Sequence, residues 1–323
     1  RNMTIITLAE DFDYFDYLEQ NNSFTNKLTE WLNDIDDICN LVIRISNHVD
    51  INNEDIKKGI VAQFKEVYYS LEFIICNLRK NLLYEINFDK LQLAINYLLE
   101  MLYELPETRI NKKTAVYELR EFINDKRKSL QLIKDFSDFI NSKKIIINQQ
   151  KLLFLNGDGG MGKTHLLASI IDRRLEEGLI SLIFDSGQFD TNTSICENIK
   201  KYFGGFNCSD SDFFSSLNTL AFLSGQRGVI FIDGLDENLQ CKNWQKKINH
   251  FIKEIEKYEN LAVAISYRTE YENIVLPEKL IQNKNLFCTA PGFTDVPIEN
   301  LLKIFNKYEI NVPTITALYP EFH

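Results

Sequence analysis

The sequence predicts an all-α helical bundle followed by an α/β domain built on a parallel sheet. The first 150 residues contain one glycine, Gly59, and one proline, Pro106, of the 13 glycines and 6 prolines in the chain. A segment so poor in helix-breaking residues is usually helical. The remainder shows short apolar runs separated by helical stretches, which is typical of a parallel sheet covered by helices on both faces. We therefore expect a helical bundle over residues 1–145 and an α/β domain over residues 146–323.

Apolar residues in the first part recur three and four residues apart, the spacing that places them on one face of a helix. Each run is only about three heptads long, so a bundle core is favoured over a coiled-coil partner surface. We expect four or five antiparallel helices. The runs cover 28–49, 60–78, 88–105 and 114–140, and the connections lie near 47–55, 80–88 and 106–113.

Five apolar or β-branched runs mark the strands of the second part. Ligands of parallel sheets bind at the carboxyl ends of the strands, so the candidate functional residues are those that follow each run. The runs are 151–155, 179–184, 229–232, 261–265 and 285–289.

The first strand leads directly into a glycine-rich sequence of the form G-x-x-x-x-G-K-T, and a helical stretch follows. In this context the N–H groups of the loop and the N terminus of the helix are predicted to bind phosphate. Lys163 is predicted to reach the β- and γ-phosphates of ATP, or the β-phosphate of ADP, and the Thr164 hydroxyl to ligate Mg²⁺. The predicted nucleotide-binding residues are Gly157, Asp158, Gly159, Gly160, Met161, Gly162, Lys163, Thr164 and His165.

Acidic residues follow the third strand, and a basic residue follows the fourth. Asp233 has the position of a Mg²⁺-binding aspartate at the end of a buried strand. Gly234 replaces the glutamate that many ATPases carry next, and either Asp236 or Glu237 is predicted to activate water instead. Arg268 is predicted to approach the γ-phosphate. From its position alone, a surface arginine at a strand end is an equally good interpretation.

These motifs resemble those of the NACHT-type STAND NTPases, the class that includes the NOD-like immune receptors. The resemblance is closer to the bacterial antiviral STAND ATPases of the Avs group, and it covers about residues 140–323. It rests on the segments 157–165, 233–237, 266–271, 291–294 and 318–322, and on Trp244.

The resemblance implies a P-loop NTPase domain in which Lys163 and Thr164 bind phosphate and Mg²⁺ and Asp233 is the Walker B acid. It further implies that Asp236 or Glu237 positions water and that Arg268 is the sensor 1 residue. A strand is expected to lie between the loop-bearing strand and the Walker B strand. Members of the class continue into small helical, winged-helix and sensor regions, so the chain is expected to end before them.

The function implied by the resemblance is a signalling switch in antiviral defence that binds ATP and hydrolyses it slowly. Nucleotide would control self-association through the NTPase domain, and a phage-derived trigger would act through regions absent from this chain. Two alternatives stay open. One is an AAA+-like motor or helicase loader that acts on nucleic acid, and the other is an interaction module with a structural nucleotide.

Composition favours the switch over a nucleic-acid-binding protein. The formal net charge of −10 argues against a chain whose main task is to coat nucleic acid, because such affinity depends on Lys and Arg. The six scattered cysteines contain no C-x-x-C pair, a pattern typical of buried thiols in a reducing cytosol. No apolar run approaches the roughly 20 residues of a membrane-spanning helix. We therefore expect a cytoplasmic protein without a membrane partner.

Overall fold

The computed structural model describes residues 13–48, 54–104, 116–204 and 208–290, which divide into two compact units. Residues 20–149 form a helical unit. The described residues before and after it form an α/β unit, which includes the first helix, α1 (Tyr14–Glu19). The predicted division at residue 145 therefore needs a correction, because α1 belongs to the α/β unit and not to the bundle.

The described part of the helical unit contains five helices, in agreement with the predicted four or five. Helices α2 to α5 form a ring in which each contacts two others. Gln63 of α3 donates a hydrogen bond to Ala94 O of α4 (3.1 Å), and Gly59 lies against Met101, so these two helices run antiparallel. The helices are α2 (Asn22–His48), α3 (Glu54–Lys80), α4 (Asp89–Glu104), α5 (Val116–Ile140) and α6 (Lys143–Gln150).

The core of the helical unit follows the predicted apolar stripes. The buried side chains include Leu28, Ile35, Phe64, Leu71, Leu98 and Phe136. The connection expected near 80–88 separates α3 from α4, whereas the one expected at 106–113 lies outside the described residues.

The α/β unit is built on a five-stranded sheet in which all neighbouring strands are parallel. The strands are β1 (Leu152–Asn156), β2 (Ser181–Asp185), β3 (Gly228–Asp233), β4 (Leu261–Ser266) and β5 (Phe287–Thr289). Their order in the sheet is β2-β3-β4-β1-β5. Strand β4 thus lies between β1 and β3, which agrees with the intervening strand that the resemblance implied.

Both faces of the sheet are covered. Strands β1 and β4 are buried along their whole length, and successive side chains of a strand point to opposite faces. Helices α7, α9 and α10 contact the strands. The helices that follow α6 are α7 (Lys163–Glu176), α8 (Ile195–Tyr202), α9 (Asp210–Ser224), α10 (Trp244–Ile255), α11 (Glu272–Val275) and α12 (Glu278–Gln282).

Helix α1 packs onto the sheet and onto α7. The Phe15 ring lies 6.2 Å from that of Phe231 in β3. Glu19, only 1% exposed, forms ion pairs with Arg173 (2.8 Å) and Arg174 (3.3 Å) of α7. Arg227 also donates a hydrogen bond to Leu18 O (3.3 Å). These contacts explain why α1 belongs to the α/β unit although about 130 residues of helical unit follow it.

No helix in the described ranges is long and apolar enough to cross a membrane. The expectation of buried thiols holds for Cys196, Cys241 and Cys288 but is wrong for Cys76, which is exposed on α3, while Cys208 is intermediate.

Candidate functional site

The glycine-rich loop, residues 157–162, joins β1 to α7 at the carboxyl edge of the sheet. Gly160 and Gly162 have φ angles of 81° and 80°, in the left-handed region that glycine adopts at little cost. Gly162 is the N-cap residue of α7, and none of the described side chains caps this helix. The first-turn N–H groups of α7 are therefore available to an anion.

Lys163 begins α7 and folds back over the loop. Its Nζ donates hydrogen bonds to the backbone oxygens of Gly157 (2.6 Å) and Asp158 (2.9 Å). Burial lowers the pKa of Lys163, and Arg268 adds to this effect while Asp236 and Asp233 oppose it. The ammonium group thus lies in the field of the predicted catalytic and metal-binding groups, and its hydrogen-bond acceptors among the described residues are loop carbonyls.

The next residues of α7 face solvent. Thr164 and His165 are both exposed, and the Thr164 hydroxyl makes no hydrogen bond to any described residue. The two predicted Mg²⁺ ligands, Thr164 and Asp233, are therefore not hydrogen-bonded to each other. Within the loop, Met161 N donates to Asp158 O at 3.4 Å.

Gly234 leaves little room for a side chain directly after Asp233. Gly234 has a φ of 64°, which disfavours any side chain. A Cβ at this position would also lie 2.8 Å from Cγ and Cδ of Glu237. The Glu237 side chain thus occupies the space that a residue after Asp233 would otherwise fill, so the chain reaches the same region from three residues further on.

The structure separates the two acids that the sequence left as alternatives. Asp236 is buried, and its Oδ1 accepts a hydrogen bond from the backbone N of Arg268 (2.8 Å). Its Oδ2 lies 3.4 Å from Arg268 Nε. Glu237 has a side chain that is 51% exposed and lies 3.8 Å from Arg268. Asp236 therefore holds Arg268 in place, and Glu237 is the acid that solvent can reach.

Charge accumulates around Glu237. Burial raises its pKa, and repulsion from Asp233, Asp236 and Asp185 raises it further, whereas Arg268 lowers it. A carboxyl group with a raised pKa among other carboxylates is a candidate for proton transfer and sits where a cation would be stabilised.

The ends of three strands meet around the loop. Arg268 follows β4, and its Nε would lie 3.9 Å from a Cβ at Gly159. Thr269 N donates to Gly157 O (3.4 Å), and Ala290, after β5, donates to Asn156 O (2.7 Å). The loop is thereby fixed between the ends of β4 and β5.

Three site residues were not singled out from the sequence. Asp185 ends β2, is the register partner of Asp233, and accepts hydrogen bonds from Gly187 N (2.8 Å) and Gln188 Nε2 (2.9 Å). The other two residues carry hydroxyl groups: Ser186 directly follows β2, and Ser266 ends β4. The signal available in the sequence was a polar residue directly after each apolar run, which does not distinguish a site residue from a turn residue.

Comparisons with known proteins add no family. No protein-family model matches the chain, and no curated protein shows significant similarity to it. Within the described ranges, no group of three or more His, Cys, Asp or Glu side chains could hold a metal ion by itself. The predicted Mg²⁺ site does not require such a group, because Mg²⁺ in nucleotide sites is usually held by one or two protein ligands together with phosphate oxygens and water.

Proposed function

We propose that this chain is a P-loop ATPase that binds Mg-ATP and ADP at the loop 157–162. The observation that carries the proposal is the placement of the motifs. The G-x-x-x-x-G-K-T loop follows a buried parallel strand and opens a helix, while Asp233 ends β3 and Arg268 lies two residues past the end of β4, on one side of it. A chance occurrence of the loop sequence would not require these partners at the same edge of the sheet.

The fit of a triphosphate rests on the loop and on α7. The N–H groups of the loop and the uncapped helix N terminus would hold the phosphate oxygens. Lys163 would exchange the backbone oxygens of Gly157 and Asp158 for phosphate oxygens. Burial disfavours the charged form of Lys163 and lowers its pKa, and the negative phosphate oxygens would stabilise that charge. Thr164 and Asp233 would hold Mg²⁺, which supplies positive charge against the β- and γ-phosphates when bound.

In hydrolysis, the two acids and the arginine would have different roles. Glu237 is reachable from solvent and has a raised pKa, so its carboxylate is assigned to orienting water and accepting its proton. Asp236 is assigned to holding Arg268, whose guanidinium is 41% exposed and would neutralise charge at the γ-phosphate.

The signalling role is the part of the proposal that rests on the resemblance to NACHT-type STAND NTPases. We propose a slow, regulated ATPase of the cytoplasm in which nucleotide controls self-association in antiviral defence, in response to a phage-derived trigger sensed elsewhere. The displaced acid and the net charge of −10 favour this role over a motor on nucleic acid. Turnover that DNA stimulates strongly would favour the motor instead.

The central test is calorimetry of Mg-ATP binding to Lys163→Ala. We expect the affinity to fall about 100-fold or more, because one or more charge-assisted hydrogen bonds to phosphate are lost. Lys253→Ala is the matched control, since it removes the same group from an exposed position near the C-terminal end of α10. Thermal unfolding followed by circular dichroism should show both variants folded. Undiminished Mg-ATP affinity in Lys163→Ala would contradict the proposed function.

A further inference from the structure

Ser266 holds the carboxylate of Asp233. Ser266 is the last residue of β4 and is 0% exposed. Its hydroxyl donates a hydrogen bond to Asp233 Oδ1 and accepts one from Gly234 N at 2.9 Å. A hydroxyl group has a single proton to donate, so the bond from Gly234 leaves that proton directed at the carboxylate. The serine thus fixes both the main chain after β3 and the side chain that ends it.

A second serine holds the same turn without touching the carboxylate. Ser186, also buried, donates a hydrogen bond from its hydroxyl to Gly234 O. The backbone N–H of Gly234 is therefore bound by the hydroxyl of Ser266, which ends β4. Its backbone oxygen is bound by the hydroxyl of Ser186, which directly follows β2. Only the hydroxyl from β4 also reaches Asp233.

The consequence for Asp233 is a defined orientation. With Oδ1 engaged by Ser266, the carboxylate cannot rotate without breaking a hydrogen bond in a buried setting, where an unmade bond is costly. Its Oδ2 accepts no hydrogen bond from the described residues and is the oxygen left for a ligand. Groups that orient a metal-binding carboxylate in this way tune its affinity for the ion.

We propose that Ser266 is a positioning residue for Mg²⁺ binding, acting through Asp233. This inference rests on the proposed function, since it assigns a role in binding Mg-ATP. It predicts that loss of the hydroxyl lowers the affinity of the nucleotide complex for Mg²⁺, so that more Mg²⁺ is needed to strengthen ATP binding. The contacts of the phosphates with the loop stay intact.

The experiment compares Ser266→Ala with Ser186→Ala. For each variant and the wild type, ATP affinity is measured by calorimetry over a range of free Mg²⁺ concentrations and again in EDTA. Both substitutions delete a buried hydroxyl bonded to Gly234, and Ser266→Ala also loses the hydrogen bond to Asp233, so its loss of stability should be the larger of the two. Of the two variants, only Ser266→Ala should raise the Mg²⁺ concentration at which ATP affinity reaches half of its Mg²⁺-dependent increase, by about tenfold or more. Its ATP affinity in EDTA should be unchanged.

A second pair of variants keeps side-chain shape constant. Ser266→Thr retains the hydroxyl and Ser266→Val lacks it, while both add the same bulk to a buried position. The threonine variant should keep the wild-type Mg²⁺ dependence, and the valine variant should resemble Ser266→Ala.

Two results would overturn the inference while leaving the proposed function standing. One is wild-type Mg²⁺ dependence in Ser266→Ala and in Ser266→Val. The other is an equal change in Ser186→Ala, which would mean that the turn matters and the carboxylate contact does not. If the wild type binds no Mg-ATP at any Mg²⁺ concentration, the proposed function fails, and this inference fails with it.

Discussion

Two buried carboxylates in the described part of the α/β unit pair with arginine, and a comparison of Arg174 with Arg268 shows a difference in the exposure of the cation. Glu19 pairs with Arg174, which is 0% exposed, beneath α1. Asp236 pairs with Arg268, which is 41% exposed, at the carboxyl edge of the sheet. The acids are equally hidden, so the difference between the pairs lies in what the arginines can still reach.

The other hydrogen bonds of each arginine show what that difference means. Arg174 also donates to Ser181 Oγ (2.8 Å), Ile180 O (3.0 Å) and Arg227 O (2.6 Å), so its guanidinium is committed to the fold. Arg268 is fixed at its backbone N and near its Nε, and the end of its side chain reaches solvent. A pair whose arginine is also buried, here called the sealed pair (Glu19–Arg174), is structural. A pair whose arginine is exposed, here called the open pair (Asp236–Arg268), keeps a positive charge accessible to a ligand.

The largest expected effect comes from breaking the sealed pair. Arg174→Met should destabilise the α/β unit by about 3–5 kcal/mol, because it leaves Glu19 with only the half-exposed Arg173 and removes the donor to the backbone oxygens of Ile180 and Arg227. Urea unfolding in a Trp31→Phe background checks this, since the fluorescence of Trp244 then reports on the α/β unit alone.

Two further variants sharpen that result. Arg173→Met removes the half-exposed partner, which donates to both oxygens of the same carboxylate at 2.8 Å, and should cost about 1.5–3 kcal/mol. The double variant Glu19→Leu with Arg174→Met should recover a large part of the loss, because no buried charge is left unpaired. A double variant as unstable as Arg174→Met would show that packing, and not charge, accounts for the effect.

The open pair should respond in the opposite way. Arg268→Ala should lower the turnover of Mg-ATP by about 10²–10³-fold, the usual effect of removing one group that stabilises transition-state charge. Its effect on stability should be about 1 kcal/mol, because Asp236 keeps the hydrogen bond from the backbone N and water can enter. A single-turnover assay and the same urea titration measure both quantities. A loss of stability as large as that of Arg174→Met, with turnover unchanged, would contradict the distinction.

The smallest effect is expected at Glu237. Glu237→Gln should reduce turnover by about 100-fold and leave Mg-ATP affinity unchanged, because the amide keeps the shape and loses the base. Only the carboxylate form of the wild type can accept a proton. Since the pKa of Glu237 is raised, turnover should increase with pH above the usual glutamate range and then level off.

The pH–rate profile of Glu237→Gln is the matching measurement, and this rise with pH should be absent from it. Asp236→Asn is the comparison variant. If it suppresses turnover selectively while Glu237→Gln keeps the wild-type profile, the base is Asp236 and the assignment is reversed.

Much of the fold follows from the sequence, because its signals are local. The five apolar runs overlap β1 to β5, and the scarcity of glycine and proline marks the helical unit. The loop 157–162 could be located for the same reason, since its motif, the strand before it and the helix after it are adjacent in the chain. The stretches 291–294 and 318–322, which contributed to the resemblance, lie outside the described residues.

Features that depend on direction or on distant segments could not be predicted. Asp236 and Glu237 are neighbours in the chain, and only the left-handed turn at Gly234 decides that one points inward and the other outward. The apolar residues of α1 predict that it is buried, but they do not indicate which surface covers it. Its partner Phe231 lies roughly 200 residues further along the chain, so the sequence predicts that this segment belongs with the five helices that follow it.

The position of α1 also has a consequence for biosynthesis. Phe15 and Leu18 leave the ribosome long before β3 exists to receive them, and at 5–20 residues per second the interval is about 10–40 s. The helical unit is completed during that time, whereas the sheet is not. A nascent chain stalled after α6 should therefore hold α1 as an exposed apolar segment, accessible to proteases and chaperones, until α7 and β3 have emerged.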